Sequence, residues 1–350
     1  MYKKLFELYF KKTDPELAHK FAINIIKNPL LLKNPFIQDN FKNLNQKLFN
    51  LHFKNPIGLA AGFDKNGEIY NKVGKLGFGF TEVGTVTPEP QFGNQKPRVF
   101  RLNEDQAIIN RLGFPNDGMF AIKRRMENAL PMGICGVNIG PNKQNAHESA
   151  DFLKCFEQFF NITSYITVNI SSPNTPKLRL QHKRENIKKL IEELHIKRNS
   201  LSSKIPILFK ISPDINILDV EELSKIFLES RIDGLILTNT SIYNKDKLNS
   251  VNRIEEGGLS GPPIENTSNL LIQEFYKNIG REIPIIGVGG IRDGKSAFEK
   301  IKSGASLLQL YTSMIYEGPF VANKINRELS LILQEKGIEN IASAIGLNCK

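Results

Sequence analysis

The sequence has no tryptophan, five methionines, five histidines and only three cysteines among its 350 residues. Cys135, Cys155 and Cys349 are odd in number and show no CxxC spacing, which argues against a disulfide framework and against a cysteine zinc site. No apolar run approaches the roughly 18 residues that cross a bilayer, and the N-terminus lacks the apolar core and cleavage site of a signal peptide. We therefore expect a globular protein of a reducing compartment that neither spans a membrane nor is secreted.

Positive charge is in excess, since 47 Lys and Arg residues stand against 36 Asp and Glu residues, a net charge of +11. Such an excess favours an anionic partner, which could be nucleic acid, an acidic membrane surface or a phosphorylated cofactor. A general richness in Lys, Asn and Ile explains the excess equally well. Apolar residues make up 40% of the chain, which is enough to form a sizeable core.

Beyond residue 55, short apolar runs alternate with longer amphipathic stretches, which is the pattern of βα units around a parallel sheet. Eight such runs are the number that closes a (β/α)8 TIM barrel, whereas an open doubly wound sheet usually has five or six strands. The predicted fold class is therefore α/β. The predicted strands centre on residues 57–59, 79–83, 133–137, 166–170, 207–211, 235–237, 285–288 and 307–310, and the clearest predicted helices cover residues 148–160, 185–197, 220–229 and 295–302.

Two short segments depart from this repeat. Residues 88–114, after the second strand, contain extended pieces of their own, and an insertion there lies over the C-terminal face on which barrel enzymes build their active sites. We predict that this insertion roofs the site. Residues 48–53 favour a short strand or a hairpin that closes the floor of the barrel.

Residues 1–45 form a separate predicted unit, a small N-terminal helical extension before the barrel of residues 46–350. Asp14 before Pro15 is typical of a helix start. Lysines flank two apolar stripes, as in interfacial membrane anchors, but a helical hairpin packed on the barrel has the same pattern and is favoured by the residues alone. The stripes are Leu5, Phe6, Tyr9 and Phe10, followed by Ala18, Ala22, Ile23 and Ile26.

Polar side chains and glycines gather where the predicted strands end. Lys65 and Lys210 could each meet an anion there, although Lys210 could instead form an inward ion pair. Gly289 and Gly290 follow the seventh strand, at the usual phosphate-binding corner of such a barrel. Strand-end asparagines could bind an imide or ureide edge, although a single asparagine is more often a turn cap. They are Asn138, Asn169, Asn174 and Asn239. Flavin mononucleotide (FMN) suits this combination of groups.

At these residues the sequence resembles the dihydroorotate dehydrogenases of the membrane-associated, quinone-using class. The resemblance covers essentially the whole chain. Its motifs are residues 14–19 (DPELAH), 55–65 (NPIGLAAGFDK), 97–102 (PRVFRL), 110–114 (NRLGF), 169–175 (NISSPNT) and 257–261 (GGLSG). Two rival hypotheses are disfavoured, because a tRNA dihydrouridine synthase would need a catalytic cysteine and a C-terminal RNA-binding domain, and a non-catalytic barrel would have lost residues such as Ser172 or Lys210.

The resemblance implies a role for each matching residue. FMN would be bound by Ala61, Gly62, Phe63, Asp64, Lys65, Thr85, Asn138, Asn169, Lys210, Thr238, Gly261, Gly290, Tyr311 and Thr312. The substrate would contact Lys65, Asn110, Arg111, Leu112, Gly113, Phe114, Asn169, Asn174, Asn239 and Thr240. Ser172 would be the catalytic base, where the soluble class carries cysteine, with Thr175, Phe114 and Lys210 beside it. His19, Arg101 and Tyr311 would lie near a quinone tunnel, and no metal is implied.

The implied reaction is the oxidation of dihydroorotate to orotate in pyrimidine biosynthesis, with FMN as hydride acceptor and ubiquinone or menaquinone as final electron acceptor. The resemblance also implies a monomer attached peripherally to the membrane, with no nucleic-acid partner. The lack of an Arg-rich presequence favours the cytoplasmic face of a bacterial inner membrane. Every residue assigned to FMN or dihydroorotate lies beyond residue 40, so we expect removal of the first 40 residues to spare flavin reduction and to abolish quinone reduction.

Overall fold

Eight parallel strands close into a barrel in the computed structural model, which describes residues 6–28, 40–129, 133–146, 148–174 and 184–349. The strands are β1 (Gln46–Leu48), β2 (Leu51–Phe53), β3 (Ile57–Leu59), β4 (Phe80–Val86), β5 (Val99–Leu102), β6 (Ala107–Asn110), β7 (Ile134–Ile139), β8 (Tyr165–Asn169), β9 (Ile207–Ile211), β10 (Gly234–Leu237), β11 (Gly258–Ser260), β12 (Ile285–Val288) and β13 (Leu307–Leu310). Around the barrel the order is β3, β4, β7, β8, β9, β10, β12 and β13, and β13 pairs with β3 to close it. The predicted TIM barrel and its eight strands are confirmed.

Amphipathic helices cover the outside of the barrel, because each buries one apolar face against the strands. In the described part of the chain they are α1 (Pro15–Lys27), α2 (Met119–Glu127), α3 (Ala150–Phe159), α4 (Arg184–Ser200), α5 (Val220–Glu229), α6 (Glu265–Ile279), α7 (Gly294–Lys302), α8 (Thr312–Glu317) and α9 (Val321–Glu335). In α3, for example, Phe152, Phe156 and Phe159 are fully buried at helical spacing. All four of the predicted barrel helices are present.

The floor of the barrel is closed by aromatic side chains near the N-terminal ends of its strands. Phe53 of β2, Phe80 of β4 and Tyr165 of β8 pack in one buried cluster, and the Phe53 and Phe80 rings meet edge to face with 5.3 Å between their centroids. Phe53 is supplied by the antiparallel hairpin of β1 and β2. The hairpin predicted at the barrel floor is therefore confirmed.

The roof over the opposite end is a three-stranded antiparallel sheet. The insertion of residues 88–114 supplies β5 and β6, as predicted. Its third strand, β11, comes from the long loop after β10 and pairs with β6, so that Gly258 lies opposite Asn110. The sequence did not predict this strand, because three residues with two glycines near them carry no strand pattern of their own.

The N-terminal extension packs on the barrel through one face of α1. Asp14 caps the helix, since its side chain accepts hydrogen bonds from Glu16 N at 3.0 Å and from Leu17 N at 2.9 Å. Ile23 and Ile26 are buried in the main core. Before α1, Phe6–Phe10 form a single turn of π-helix.

The exposed apolar face of α1 differs from the stripe that the sequence suggested. Leu17, Phe21 and Ile25 are 63%, 53% and 36% exposed, whereas the predicted stripe through Ile23 and Ile26 faces the barrel. The stripe through Ile23 and Ile26 is therefore covered by the barrel, and the apolar surface that stays exposed on α1 is a different one. No helix in the described ranges is both long and apolar enough to span a bilayer. Leu5 and the lysines before it lie outside the described residues.

Candidate active site

A pocket opens at the C-terminal ends of the barrel strands, beneath the three-stranded roof. It contains about 1370 Å³ of empty space when its open mouth is included. Nineteen of the residues predicted to bind FMN or substrate or to act in catalysis line it: Ala61, Gly62, Lys65, Thr85, Asn110, Leu112, Gly113, Phe114, Asn169, Ser172, Asn174, Lys210, Thr238, Asn239, Thr240, Gly261, Gly290, Tyr311 and Thr312. Segments far apart in the sequence therefore converge on one site.

Three residues predicted to bind FMN lie behind the pocket wall instead. Asp64 is 1% exposed, and its carboxylate accepts a hydrogen bond from Glu68 N at 2.7 Å, so it caps the turn that follows. Phe63 packs against the ring of Tyr311 with 5.6 Å between centroids. Asn138 is fully buried. These side chains shape the site without forming its surface.

Two arginines predicted near the substrate and the quinone also lie away from the pocket lining. Arg111 donates a hydrogen bond to Glu255 Oε2 at 2.8 Å, and both side chains are partly exposed. Arg101 donates to the backbone oxygen atoms of Phe10 and Thr13, the latter at 2.7 Å. Arg101 therefore ties the N-terminal segment to the roof.

Ser172 lies on the pocket wall and is 4% exposed. Its Oγ accepts a hydrogen bond from the backbone N–H of Asn174 at 3.2 Å, which favours negative charge on that oxygen. The neighbouring loop ends at Phe114, whose carbonyl oxygen accepts a hydrogen bond from Gln91 Nε2 at 3.1 Å. Thr175, predicted to act with Ser172, lies outside the described residues.

The amide side chains of the wall form a connected belt. Asn169 Nδ2 donates to Thr85 Oγ1 at 3.0 Å, and Asn239 Nδ2 donates to Asn169 Oδ1 at 3.3 Å. Asn174 Nδ2 donates to Asn110 Oδ1 at 3.2 Å. Each amide is thus held in one orientation by its hydrogen-bond partners.

A buried carboxylate supports this belt, and the sequence analysis assigned it no role. Glu82 is fully buried in β4 and accepts a hydrogen bond from Asn138 Nδ2 at 2.8 Å through Oε1. Its Oε2 accepts from Tyr165 Oη at 3.1 Å, Thr167 Oγ1 at 3.1 Å and Gln309 Nε2 at 2.9 Å. A glutamate within a predicted barrel strand could have indicated this role, because glutamate is rarely buried unless it is paired. All seven residues of β4 are in fact buried.

Two lysines bring positive charge to the pocket. Burial lowers the pKa of Lys210, and the negative charge of Glu82 opposes that effect. Burial also lowers the pKa of Lys65 to about 8, and the carboxylates of Glu16 and Asp64 oppose that effect in turn. Each ammonium group is held in a partly dry site, where its attraction for an anion exceeds its attraction at an exposed surface.

The corner beneath β12 and β13 has the features of an anion site. Gly289 and Gly290 have φ angles of +116° and +79°, which expose backbone N–H groups in a tight turn. An added Cβ at Gly261 would lie 2.8 Å from a backbone oxygen, so only glycine allows this close approach. Ser313 Oγ is buried and has no hydrogen-bond partner within the described ranges, and Arg292 also lines the pocket. These groups fit the phosphate of FMN.

Part of the pocket lining is aromatic. Tyr311 and Tyr316 line it, and Phe63 packs between Tyr311 and His19, with 4.9 Å between the His19 and Phe63 ring centroids. Burial and the positive charge of Lys65 lower the pKa of His19 to about 3, so this imidazole is neutral at physiological pH. His19 therefore lies behind the aromatic wall as an uncharged hydrogen-bonding group. In the described part of the chain, no three His, Cys, Asp or Glu side chains are grouped so as to hold a metal ion.

Comparison with known proteins places this site in a family. The family model for dihydroorotate dehydrogenase matches residues 43–333. The dihydroorotate dehydrogenase (quinone) of Bartonella tribocorum is 43% identical over 332 residues, covering 94% of this chain and 91% of that protein. The mitochondrial dihydroorotate dehydrogenase (quinone) of Mus musculus is 41% identical over 348 residues, covering 96% of this chain and 87% of the mouse protein.

A solved structure agrees. The dihydroorotate dehydrogenase of Eimeria tenella in complex with ferulenol superimposes with a TM-score of 0.92 at 36% identity, covering 96% of both chains. The resemblance and the activity that the motifs predicted are confirmed by these matches. The chain therefore belongs to the dihydroorotate dehydrogenase family, flavin-dependent enzymes that oxidise dihydroorotate in pyrimidine biosynthesis.

Proposed function

We propose that this protein holds FMN at the pocket, oxidises dihydroorotate to orotate there and passes the electrons to a membrane quinone. The observation that carries the proposal is the convergence of three features on one pocket: the anion corner, the amide belt and Ser172. FMN, when bound, supplies the acceptor for the hydride. Lys210 would be the positive group that stabilises the reduced flavin.

The side chains of the pocket account for binding and for proton removal. Lys65 would bind the carboxylate of dihydroorotate, and the amide belt would fix its ureide edge. Ser172 Oγ would take the C5 proton while its own proton passes to Thr175 or to an ordered water molecule. The hydrogen bond that this oxygen accepts from Asn174 N at 3.2 Å favours the transfer, because it stabilises negative charge developing on the oxygen. Phe114 would help to exclude water.

The N-terminal segment would serve the second half of the reaction. Leu17, Phe21 and Ile25 form an exposed apolar face on α1, and Tyr9 is 64% exposed beside it. Such a face, with lysines around it, suits an interfacial helix on an anionic membrane. We propose a monomer attached peripherally at the cytoplasmic face of a bacterial inner membrane, with ubiquinone or menaquinone reaching the pocket past His19 and Tyr311.

The test follows the two half-reactions separately. The purified protein should carry an FMN spectrum, and anaerobic dihydroorotate should bleach it. A short-chain quinone should then restore the oxidised spectrum. His19→Ala should slow this reoxidation without slowing the bleaching, because His19 lies outside the pocket lining. Failure of dihydroorotate to bleach the flavin would refute the proposed activity, and full-rate reoxidation in His19→Ala would refute the assigned quinone route.

Membrane attachment has its own measurement. Leu17→Ser/Phe21→Ser should weaken sedimentation with anionic vesicles, because it removes apolar surface that is exposed in the free protein. The matched control is Leu331→Ser on α9, which removes another half-exposed leucine (50% exposed) from outside the N-terminal segment. Equal sedimentation of the double variant and the control would refute the proposed surface.

A further inference from the structure

Ion pairs at both ends of α1 attach this helix to the barrel domain. At its N-terminal end Glu16 pairs with Arg98, whose Nη2 lies 2.8 Å from Oε1 and whose Nε lies 3.2 Å from both carboxylate oxygens. Lys96 adds a weaker contact at 3.5 Å. At the C-terminal end Lys27 pairs with Glu68. These two attachments reach different parts of the barrel domain.

The Arg98 end is connected to the pocket through a second set of bonds. The Arg98 side chain is 8% exposed, and its Nη1 donates to the backbone oxygens of Phe92 at 2.5 Å and Asn94 at 2.9 Å. One guanidinium group thus joins the carboxylate of Glu16 to the loop that contains Asn94. A buried guanidinium with four acceptors around it has a single favourable position.

Asn94 in turn holds two segments of the pocket wall. Its Nδ2 donates to the backbone oxygen of Arg111 at 3.0 Å and to that of Asn174 at 3.2 Å. Its own backbone N–H donates to the oxygen of Leu112 at 2.9 Å. Leu112 and Asn174 line the pocket. The chain of contacts therefore runs from the N-terminal helix to the wall against which dihydroorotate would bind.

We propose that Glu16 is a positioning residue for the substrate: by holding Arg98 it fixes the Asn94 loop, so that docking of the N-terminal helix and binding of dihydroorotate support each other. The inference rests on the proposed function, since it assumes that residues 110–114 and Asn174 contact dihydroorotate. Coupling of this kind is reciprocal, so orotate should also strengthen the docking of α1. It also revises an expectation from the sequence, because removal of the first 40 residues would remove Glu16 and weaken the binding of dihydroorotate that precedes flavin reduction.

The experiment compares the two ends of the helix. Glu16→Gln keeps the shape of the side chain and removes its charge, Glu16→Asp keeps the charge on a shorter stem, and Lys27→Gln breaks the ion pair at the other end as the matched control. Each FMN-loaded protein is mixed anaerobically with increasing dihydroorotate. The dissociation constant and the limiting rate of flavin bleaching are then obtained separately.

Glu16→Gln should raise the dissociation constant for dihydroorotate about 5-fold or more, which is the lower end of the usual range for coupling between two sites. The limiting rate of flavin bleaching should stay nearly unchanged. Lys27→Gln should match the wild type, and Glu16→Asp should lie between them. If Glu16→Gln does not retain FMN, Glu16→Asp carries the test, since its dissociation constant must still exceed that of Lys27→Gln. Equal constants in the Glu16 and Lys27 variants, or a loss confined to the limiting rate, would overturn the inference. A wild-type flavin that dihydroorotate fails to bleach would instead overturn the proposed function.

Discussion

Replacing Glu82 by Gln should lower both the free energy of unfolding and the midpoint potential of bound FMN, although Glu82 lies outside the pocket lining. The Glu82 carboxylate is fully buried and accepts four hydrogen bonds, three of them at Oε2. An amide has only one acceptor oxygen. If that oxygen takes the place of Oε2, the new NH2 group faces Asn138 Nδ2, which donates to Oε1 at 2.8 Å in the wild type.

Two facing NH2 groups cannot hydrogen-bond to each other unless the Asn138 amide turns over. That turn creates the same unfavourable contact between donors nearer the pocket. Asn138 Oδ1 now accepts from Thr85 Oγ1 at 2.6 Å and from Asn169 Nδ2 at 3.2 Å. Turning the amide would place an NH2 group against Asn169 Nδ2. At least one buried donor therefore stays unpaired, which costs about 1–3 kcal/mol of the free energy of unfolding.

The loss of charge adds an effect on the flavin. Glu82 opposes the burial that lowers the pKa of Lys210, so its removal should lower that pKa further. A Lys210 that holds its proton less firmly would stabilise the reduced flavin less, and the midpoint potential of bound FMN should fall. In Glu82→Gln the free energy of unfolding and the midpoint potential of bound FMN are thus both expected to fall.

Urea unfolding followed by circular dichroism measures the free energy of unfolding. A reductive titration with a reference dye measures the midpoint potential of bound FMN. The matched control is Thr81→Val, one residue earlier in β4, because Thr81 Oγ1 is buried without a hydrogen-bond partner in the described part of the chain. Removing that hydroxyl should be neutral or slightly stabilising. If Glu82→Gln unfolds at the same urea concentration as Thr81→Val and keeps the wild-type potential, the reasoning about the buried network is refuted.

Three further outcomes are expected. Ser172→Ala should keep FMN but slow its bleaching by dihydroorotate about 10²–10⁴-fold in stopped flow, with partial recovery in Ser172→Cys, and a near-wild-type rate in the alanine variant would exclude Ser172 as the base. Lys210→Met should lower the midpoint potential of bound FMN, and an unchanged potential in the FMN-loaded variant would contradict the role of its charge. Because the pKa of Lys65 lies at about 8, the dissociation constant for dihydroorotate should be flat below that pH and rise above it as Lys65 loses its proton, whereas a flat profile to pH 9.5 would argue against an ion pair with the substrate.

The barrel was predictable because its signal is local and repeated. Each barrel strand is a short, mostly apolar run buried on both faces, as in β9 and β10, and the helices that follow show their own periodicity. The strand β11 was not predictable in this way. Gly258 to Ser260 become a strand only because β6 offers a free edge, and that partner lies almost 150 residues earlier in the sequence.

The pocket was predictable for the residues that end strands and less so for those that support them. Asn169, Lys210 and Asn239 lie where the strand count puts them, on the wall. Asn138 occupies an equivalent strand end, yet it is fully buried outside the pocket lining, where its amide bonds to Glu82 and Asn169. Spacing fixes the height of a residue along the barrel, but packing decides whether its side chain forms the surface or the layer below.

Each cation at the pocket is supported by a carboxylate that lies away from the pocket lining. Glu265 forms an ion pair with Arg292, whereas Glu16 acts on Lys65 and Glu82 acts on Lys210 through their charge without an ion pair. Such an arrangement keeps the cations charged despite burial, since a negative partner offsets the desolvation, and it still leaves the positive side facing an anionic ligand. The charge on these side chains therefore depends on where the carboxylates lie, and the excess of +11 in the whole chain does not determine it. The composition could not have shown this, because a paired lysine and a surplus lysine count alike in a sum.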